Sequence, residues 1–151
     1  MVGKPEKKEL LISFLKKEKG KSTLVFSRTK HGADNISRVL RKAGIQNEAI
    51  HGDKSQGQRQ RALKDFKSGK VQVMVATDIA ARGIDIKELQ IVINYDMPDA
   101  PETYVHRIGR TGRAGHSGTA LTFCSQDDHM KVKDIQKLTG NQINTVLYQA
   151  Q

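Results

Sequence analysis

The sequence has a single cysteine, Cys124, so neither an internal disulfide nor a cysteine-based metal cluster can be built within it. Cys124 ends the apolar run ALTFC, where a thiol serves as a small hydrophobe at the end of a buried strand. Long apolar runs are missing too. Near the N-terminus LLISFL lies between lysines, too short for a bilayer span or a convincing secretory core, and a cytoplasmic location is the expectation. No internal repeat, low-complexity tract or linker divides the chain. Acidic residues are in deficit: 16 Asp and Glu against 26 Lys and Arg leave a net charge of +10, which suits a polyanionic partner such as nucleic acid and also serves solubility. With 151 residues, 36% hydrophobic and 28% charged, the composition is that of one globular domain with a proper core.

What the sequence does contain is alternation. Short β-rich apolar runs are separated by longer segments of helical period, the pattern of a parallel sheet wrapped by helices. The apolar stripe of Leu10, Leu11, Phe14 and Leu15 predicts a helix from Pro5 to about Lys19, ended by Gly20. STLVF (Ser22 to Phe26) reads as a strand. A helix from Lys30 to Ala43, stopping at Gly44, would turn Ile36, Val39 and Leu40 inward. Asn47 to Ile50 forms a short strand before the turn signal HGD. Ser55 and Gln58 have capping-box spacing and open a helix to Lys67 that buries Ala62, Leu63 and Phe66. Val71 to Thr77 and Ile91 to Tyr95 are apolar on both faces, as central parallel strands are. A helix at Pro101 to Arg107, a strand at Thr119 to Cys124 and a helix from Asp127 to Leu138 complete the layout, and residues 141–151 read as a frayed tail. The expected architecture is a single-domain three-layer α/β sandwich around one mostly parallel sheet of about six strands.

In such sheets the working residues lie on loops at the carboxyl ends of the strands. Three polar segments fall there: SRTK, HGD and TDIAARGID. A fourth, HRIGRTGR (His106 to Arg113), spaces Arg107, Arg110 and Arg113 at intervals of three, with Gly109 and Gly112 between them. Arginine suits phosphate because its planar fork donates several hydrogen bonds and keeps its charge. By spacing alone, a solvated basic helix end or a general nucleic-acid patch accounts for the octet equally well. In ATDIAARGID, Asp78 could cap a short helical turn and Asp85 could pair with a nearby cation, as an alternative to receiving ribose hydroxyls. In QGQR, Gln56 and Arg59 lie in the first turn of a helix, although capping already explains Ser55 and Gln58.

Taken together, HRIGRTGR, ATDIAARGIDI, LVFSRTK, QGQR, the HGD turn and VINYDMP resemble the second RecA-like domain of the DEAD-box RNA helicases, over about Leu10 to Leu138. The resemblance implies a RecA-like helicase C-terminal domain whose ATP site is shared with an N-terminal lobe. Arg110 and Arg113 would be arginine fingers on the γ-phosphate. Gly83 and Asp85 would meet the nucleotide, Asp85 through the ribose hydroxyls. Thr29, Lys30, Gly52, Gln56, Arg59 and Thr77 would line the RNA backbone. Arg82 would relay between the two ligands, and His106 and Arg107 would brace the interdomain face, a structural hydrogen bond remaining an alternative for His106.

The resemblance also points to what the chain lacks. It has no G-x-x-x-x-G-K-[ST] loop to cradle a triphosphate and no DEAD tetrapeptide to hold Mg²⁺. Both belong to the family's N-terminal domain, which would hold Mg²⁺ and most of the ATP site. The implied function is the C-terminal lobe of an ATP-dependent RNA helicase, monomeric as an isolated domain and inactive towards ATP alone. A stand-alone RNA-binding or protein-docking module of the same fold is the competing reading. A DNA helicase or chromatin-type translocase lobe is more remote.

Overall fold

A computed structural model describes residues 4–82, 89–96, 119–123, 130 and 133. Helix α1 spans Lys4–Lys17, strand β1 Thr23–Phe26, helix α2 Lys30–Lys42 and strand β2 Asn47–Ile50. Helix α3 follows at Gln56–Lys67, strand β3 at Val73–Ala76, helix α4 at Asp78–Arg82, strand β4 at Ile91–Asn94 and strand β5 at Thr119–Thr122. The described strands form one sheet in the order β2-β3-β1-β4-β5, and every pairing is parallel. Five strands are thus in place among the described residues, where about six were expected. The expected helices Pro101–Arg107 and Asp127–Leu138, Cys124 and the tail from 141 lie outside the described residues. No described helix is long and apolar enough to cross a membrane.

Strand alternation builds two cores, one on each side of the sheet. Val25, Val73, Val75, Ile91 and Ile93 face a layer that includes Leu11 and Leu15 of α1 and Ala33, Ile36 and Leu40 of α2. Leu24, Phe26, Met74, Ala76 and Val92 face Ala62 and Phe66 of α3 and Ala80 and Ala81 of α4. The layering follows from chain direction. The β1-to-β2 crossover travels one way along the sheet, while β2-to-β3 and β3-to-β4 travel the other way. Crossovers of a single hand therefore put α2 and α3 on opposite faces.

Within α2 the inward stripe differs from the expected one. Val39 is only partly buried, and Ala33 and Ser37 are buried beside Ile36 and Leu40. A buried serine is tolerated because its hydroxyl donates to Asn47 Oδ1, while Asn47 Nδ2 donates to the Ser37 and Ile45 carbonyls at 3.1 Å each. That closed polar set ties the middle of α2 to the start of β2 and leaves none of these groups unmet. Gly44, with φ 82°, takes the left-handed conformation that ends α2.

Candidate nucleic-acid interface

In register, Phe26 is paired with Ala76 and Asn94, Ile50 with Ala76, and Asn94 with Thr122. The strands therefore finish level. The segments beginning at Ser27, His51, Thr77 and Tyr95 leave from one carboxyl edge, each tied to its neighbour by a backbone bond. Ser27 N–H donates to the Ala76 carbonyl, Thr77 N–H to Ile50 and Tyr95 N–H to Phe26. β1 and β4 are adjacent, yet the chain leaves β1 towards β2 and leaves β4 towards β5, so a topological switch point lies between them.

The loop after β1 is built tightly. Thr29 is the N-cap of α2, its hydroxyl oxygen accepting from Gly32 N–H at 2.9 Å. Ser27 Oγ donates to the Thr29 carbonyl at 3.1 Å and lies 3.5 Å from Asp96 Oδ2. A Cβ on Gly32 would come within 2.5 Å of Ser27 Oγ and 3.0 Å of Thr29 Oγ1, so glycine is required by close approach. Asp96, two residues past the end of β4, accepts from Arg28 N–H at 2.8 Å, and its other oxygen lies 3.9 Å from Lys7 Nζ. Lys7 Nζ also stands 5.6 Å from the Tyr95 ring centroid. Burial, helped by the Asp96 charge, pushes the Tyr95 hydroxyl up to about 12.

The loop after β2 hangs from a buried histidine. His51 Nδ1 accepts from Asp53 N–H at 3.2 Å, which leaves the proton on Nε2, 2.9 Å from Asp34 Oδ1 on α2. Lys54 Nζ lies 3.9 Å from the same carboxylate oxygen. His51 and Asp34 thereby fix the backbone on either side of Gly52. The Lys30 side chain crosses this turn: its Cδ would lie 3.6 Å from a Cβ on Gly52, and its Nζ is 3.0 Å from Asp53 Oδ1. The hydrogen bond and charge of Lys30 hold the Asp53 carboxyl below the usual carboxylate range.

The capping box at α3 is present in both directions. Gln58 N–H donates to Ser55 Oγ at 3.1 Å, and Ser55 N–H donates to Gln58 Oε1 at 2.8 Å. Replacing Ser55 with alanine is expected to cost about 1 kcal/mol. A thermal midpoint lowered by about 3 °C, measured by circular dichroism, would report it. Behind the cap Gln56 is exposed and Arg59 is half-buried. Arg59 Nε is shut off from water without a hydrogen-bond partner, the single such side-chain atom among the described residues. A buried donor left unpaired is costly.

Thr77 is buried at the end of β3, and its carbonyl accepts from Ala81 N–H in α4. Asp78 is the first residue of α4, an acidic side chain in its first turn. The structure thus gathers Thr29, Lys30, Gly52, Gln56, Arg59 and Thr77 at one sheet edge. Arg82 ends α4. Gly83, Asp85, His106, Arg107, Arg110 and Arg113 lie outside the described residues. Sequence reasoning assigned nothing to Asp34, His51 or Asp96. The HGD and NYD tripeptides were visible, but the partners that give them roles are distant in sequence.

Residues 6–115 match the family model described as the helicase conserved C-terminal domain. Over 139 residues the chain is 47% identical to a DEAD-box ATP-dependent RNA helicase of Arabidopsis thaliana, covering 91% of this chain and 24% of that protein. The E. coli DEAD-box protein SrmB, solved bound to regulator of ribonuclease activity A, superposes with a TM-score of 0.82 at 42% identity, covering 87% of this chain and 78% of that one. The chain belongs to the DEAD-box RNA helicases, as their C-terminal domain. A third DEAD-box relative, S. cerevisiae Dbp5, was solved bound to RNA and ADP BeF3. It has a TM-score of 0.82 at 35% identity, covering 89% of this chain and 36% of that one. This DEAD-box domain spans 24% of the length of curated relatives that it matches.

Proposed function

We propose that this DEAD-box domain is the C-terminal lobe of an ATP-dependent RNA helicase. It binds the RNA sugar-phosphate backbone along the carboxyl edge of its sheet and completes an ATP site whose phosphate-gripping half lies on an N-terminal domain. One observation carries this reading: the loops after β1, β2 and β3 and the start of α3 bring the RNA candidates to a single edge, where Lys30 lies across Gly52. Dbp5, a relative of the same fold, carries RNA and ADP BeF3 in its solved complex. Contacts to the backbone position a strand without reading its bases, so this edge would grip RNA of many sequences.

On the nucleotide side, α4 leaves the same edge and ends at Arg82, directly before Gly83 and Asp85. Gly83 and Asp85 would hold the nucleoside, and Arg110 and Arg113 would face the γ-phosphate. Arg82 would link the two ligands, and His106 and Arg107 would brace the face towards the N-terminal domain. ATP bound with Mg²⁺ supplies the transferable phosphoryl group, with Mg²⁺ held mainly by the N-terminal domain. The arginines of this chain add positive charge where charge builds during transfer.

The test is reconstitution. RNA-stimulated ATP hydrolysis is measured for the chain alone and joined to a DEAD-box N-terminal domain. Negligible turnover alone and RNA-dependent turnover when joined are expected. Robust hydrolysis by the isolated chain would overturn the shared-site reading, and a joined protein that binds RNA without hydrolysing ATP would favour a binding module.

A further inference from the structure

We infer that Asp53 competes with RNA phosphate for the Lys30 ammonium, so that RNA binding at this edge exchanges one anion for another. The inference rests on the reading of Lys30 as an RNA contact and adds a regulating partner to it. Three observations lead there. Lys30 is not a free cation in this structure: its Nζ is held at 3.0 Å by Asp53 Oδ1. Asp53 is not a loosely placed surface acid, because its backbone N–H is bound to the buried His51 ring, which Asp34 holds from the other side. Finally, both partners remain accessible, at 49% and 62% side-chain exposure, so a phosphate can reach the ammonium and displace the carboxylate.

The chemistry is a substitution at the ammonium. A phosphate oxygen takes the place of Asp53 Oδ1, and the displaced carboxylate remains beside the bound strand on its anchored turn. Opening the ion pair is the cost that weakens binding, and the fold keeps the carboxylate within reach of Lys30 through His51. An ion pair between exposed groups contributes little to stability, so the pair can open and close without disturbing the fold. The consequence is a domain whose grip on RNA is held below what its positive charge would otherwise allow.

The experiment uses the 151-residue chain, a fluorescein-labelled oligouridylate and anisotropy titrations at several salt concentrations. Asp53→Asn is expected to bind about threefold tighter at low salt, the size of one exposed ion pair that no longer has to open. Its log K against log salt slope should steepen by up to about 0.7, since Lys30 then releases a counterion with no carboxylate to regain one. Asp53→Ala, which removes the charge without supplying an amide, should give the same gain. Lys30→Ala should weaken binding, and in Lys30→Ala the Asp53→Asn gain should vanish. Unchanged or weaker binding by both Asp53 variants, with Lys30→Ala still weakened, overturns the competition alone. If Lys30→Ala binds as tightly as wild type, the RNA reading of Lys30 falls with it.

Discussion

Arg113→Ala, in the chain joined to a DEAD-box N-terminal domain, is expected to lower RNA-stimulated ATP hydrolysis at least a hundredfold. The reason is electrostatic. A phosphoryl group in transfer spreads negative charge over its outer oxygens, and a guanidinium placed there stabilises that charge without needing to reorganise. In other NTPases such a finger contributes roughly 10³- to 10⁵-fold in rate. Arg113→Lys keeps a charge but loses the planar fork, so it should restore little. RNA affinity measured without nucleotide should stay within about twofold of wild type, because the RNA candidates lie on Thr29, Lys30, Gly52, Gln56, Arg59 and Thr77. Single-turnover hydrolysis at saturating RNA separates the two readouts. Unchanged turnover in Arg113→Ala would remove the finger assignment.

The second large effect belongs to the fold. Phe26→Ala is expected to destabilise the domain by about 3 to 5 kcal/mol, the range for emptying an aromatic site in a packed core. Phe26 is 1% exposed, ends the central strand β1 and shares a core with Ile50, Phe66, Met74 and Ala76. Against a total stability of roughly 5 to 15 kcal/mol the loss is large. It should lower the thermal midpoint by about 10 °C. The loss should also reach the candidate site, since the Phe26 carbonyl receives Tyr95 N–H and Ser27 follows Phe26 directly. Urea titration followed by far-ultraviolet circular dichroism would measure it. A urea midpoint unchanged from wild type would mean that the core refills the space.

Much of this could be read in the amino-acid order. Local features with local causes were legible. The capping box at Ser55 and Gln58 closes within one turn of helix, so its residues name each other. The strands VMVA and IVIN are buried at every position, and apolar throughout but for Asn94, because parallel strands bury both faces, and each was found within the expected run. Val39 was misplaced for the opposite reason. Helical period alone cannot foresee that Ser37 finds a buried partner in Asn47, ten residues further along.

By itself the sequence determined the fold class, the family motifs and the candidate phosphate-binding residues, because period and residue chemistry are properties of the chain order. Only the tertiary structure decided which residues hold those candidates in place. Asp96 meets the Ser27–Arg28 turn across 68 positions, because β1 and β4 are neighbours in the sheet though two strands come between them in sequence. Asp34 meets His51, and Asp53 meets Lys30, because the β1-to-β2 crossover brings the start of α2 beside the end of β2. A charge or a hydrogen bond acts over a few ångströms, and only the folded sheet sets those distances.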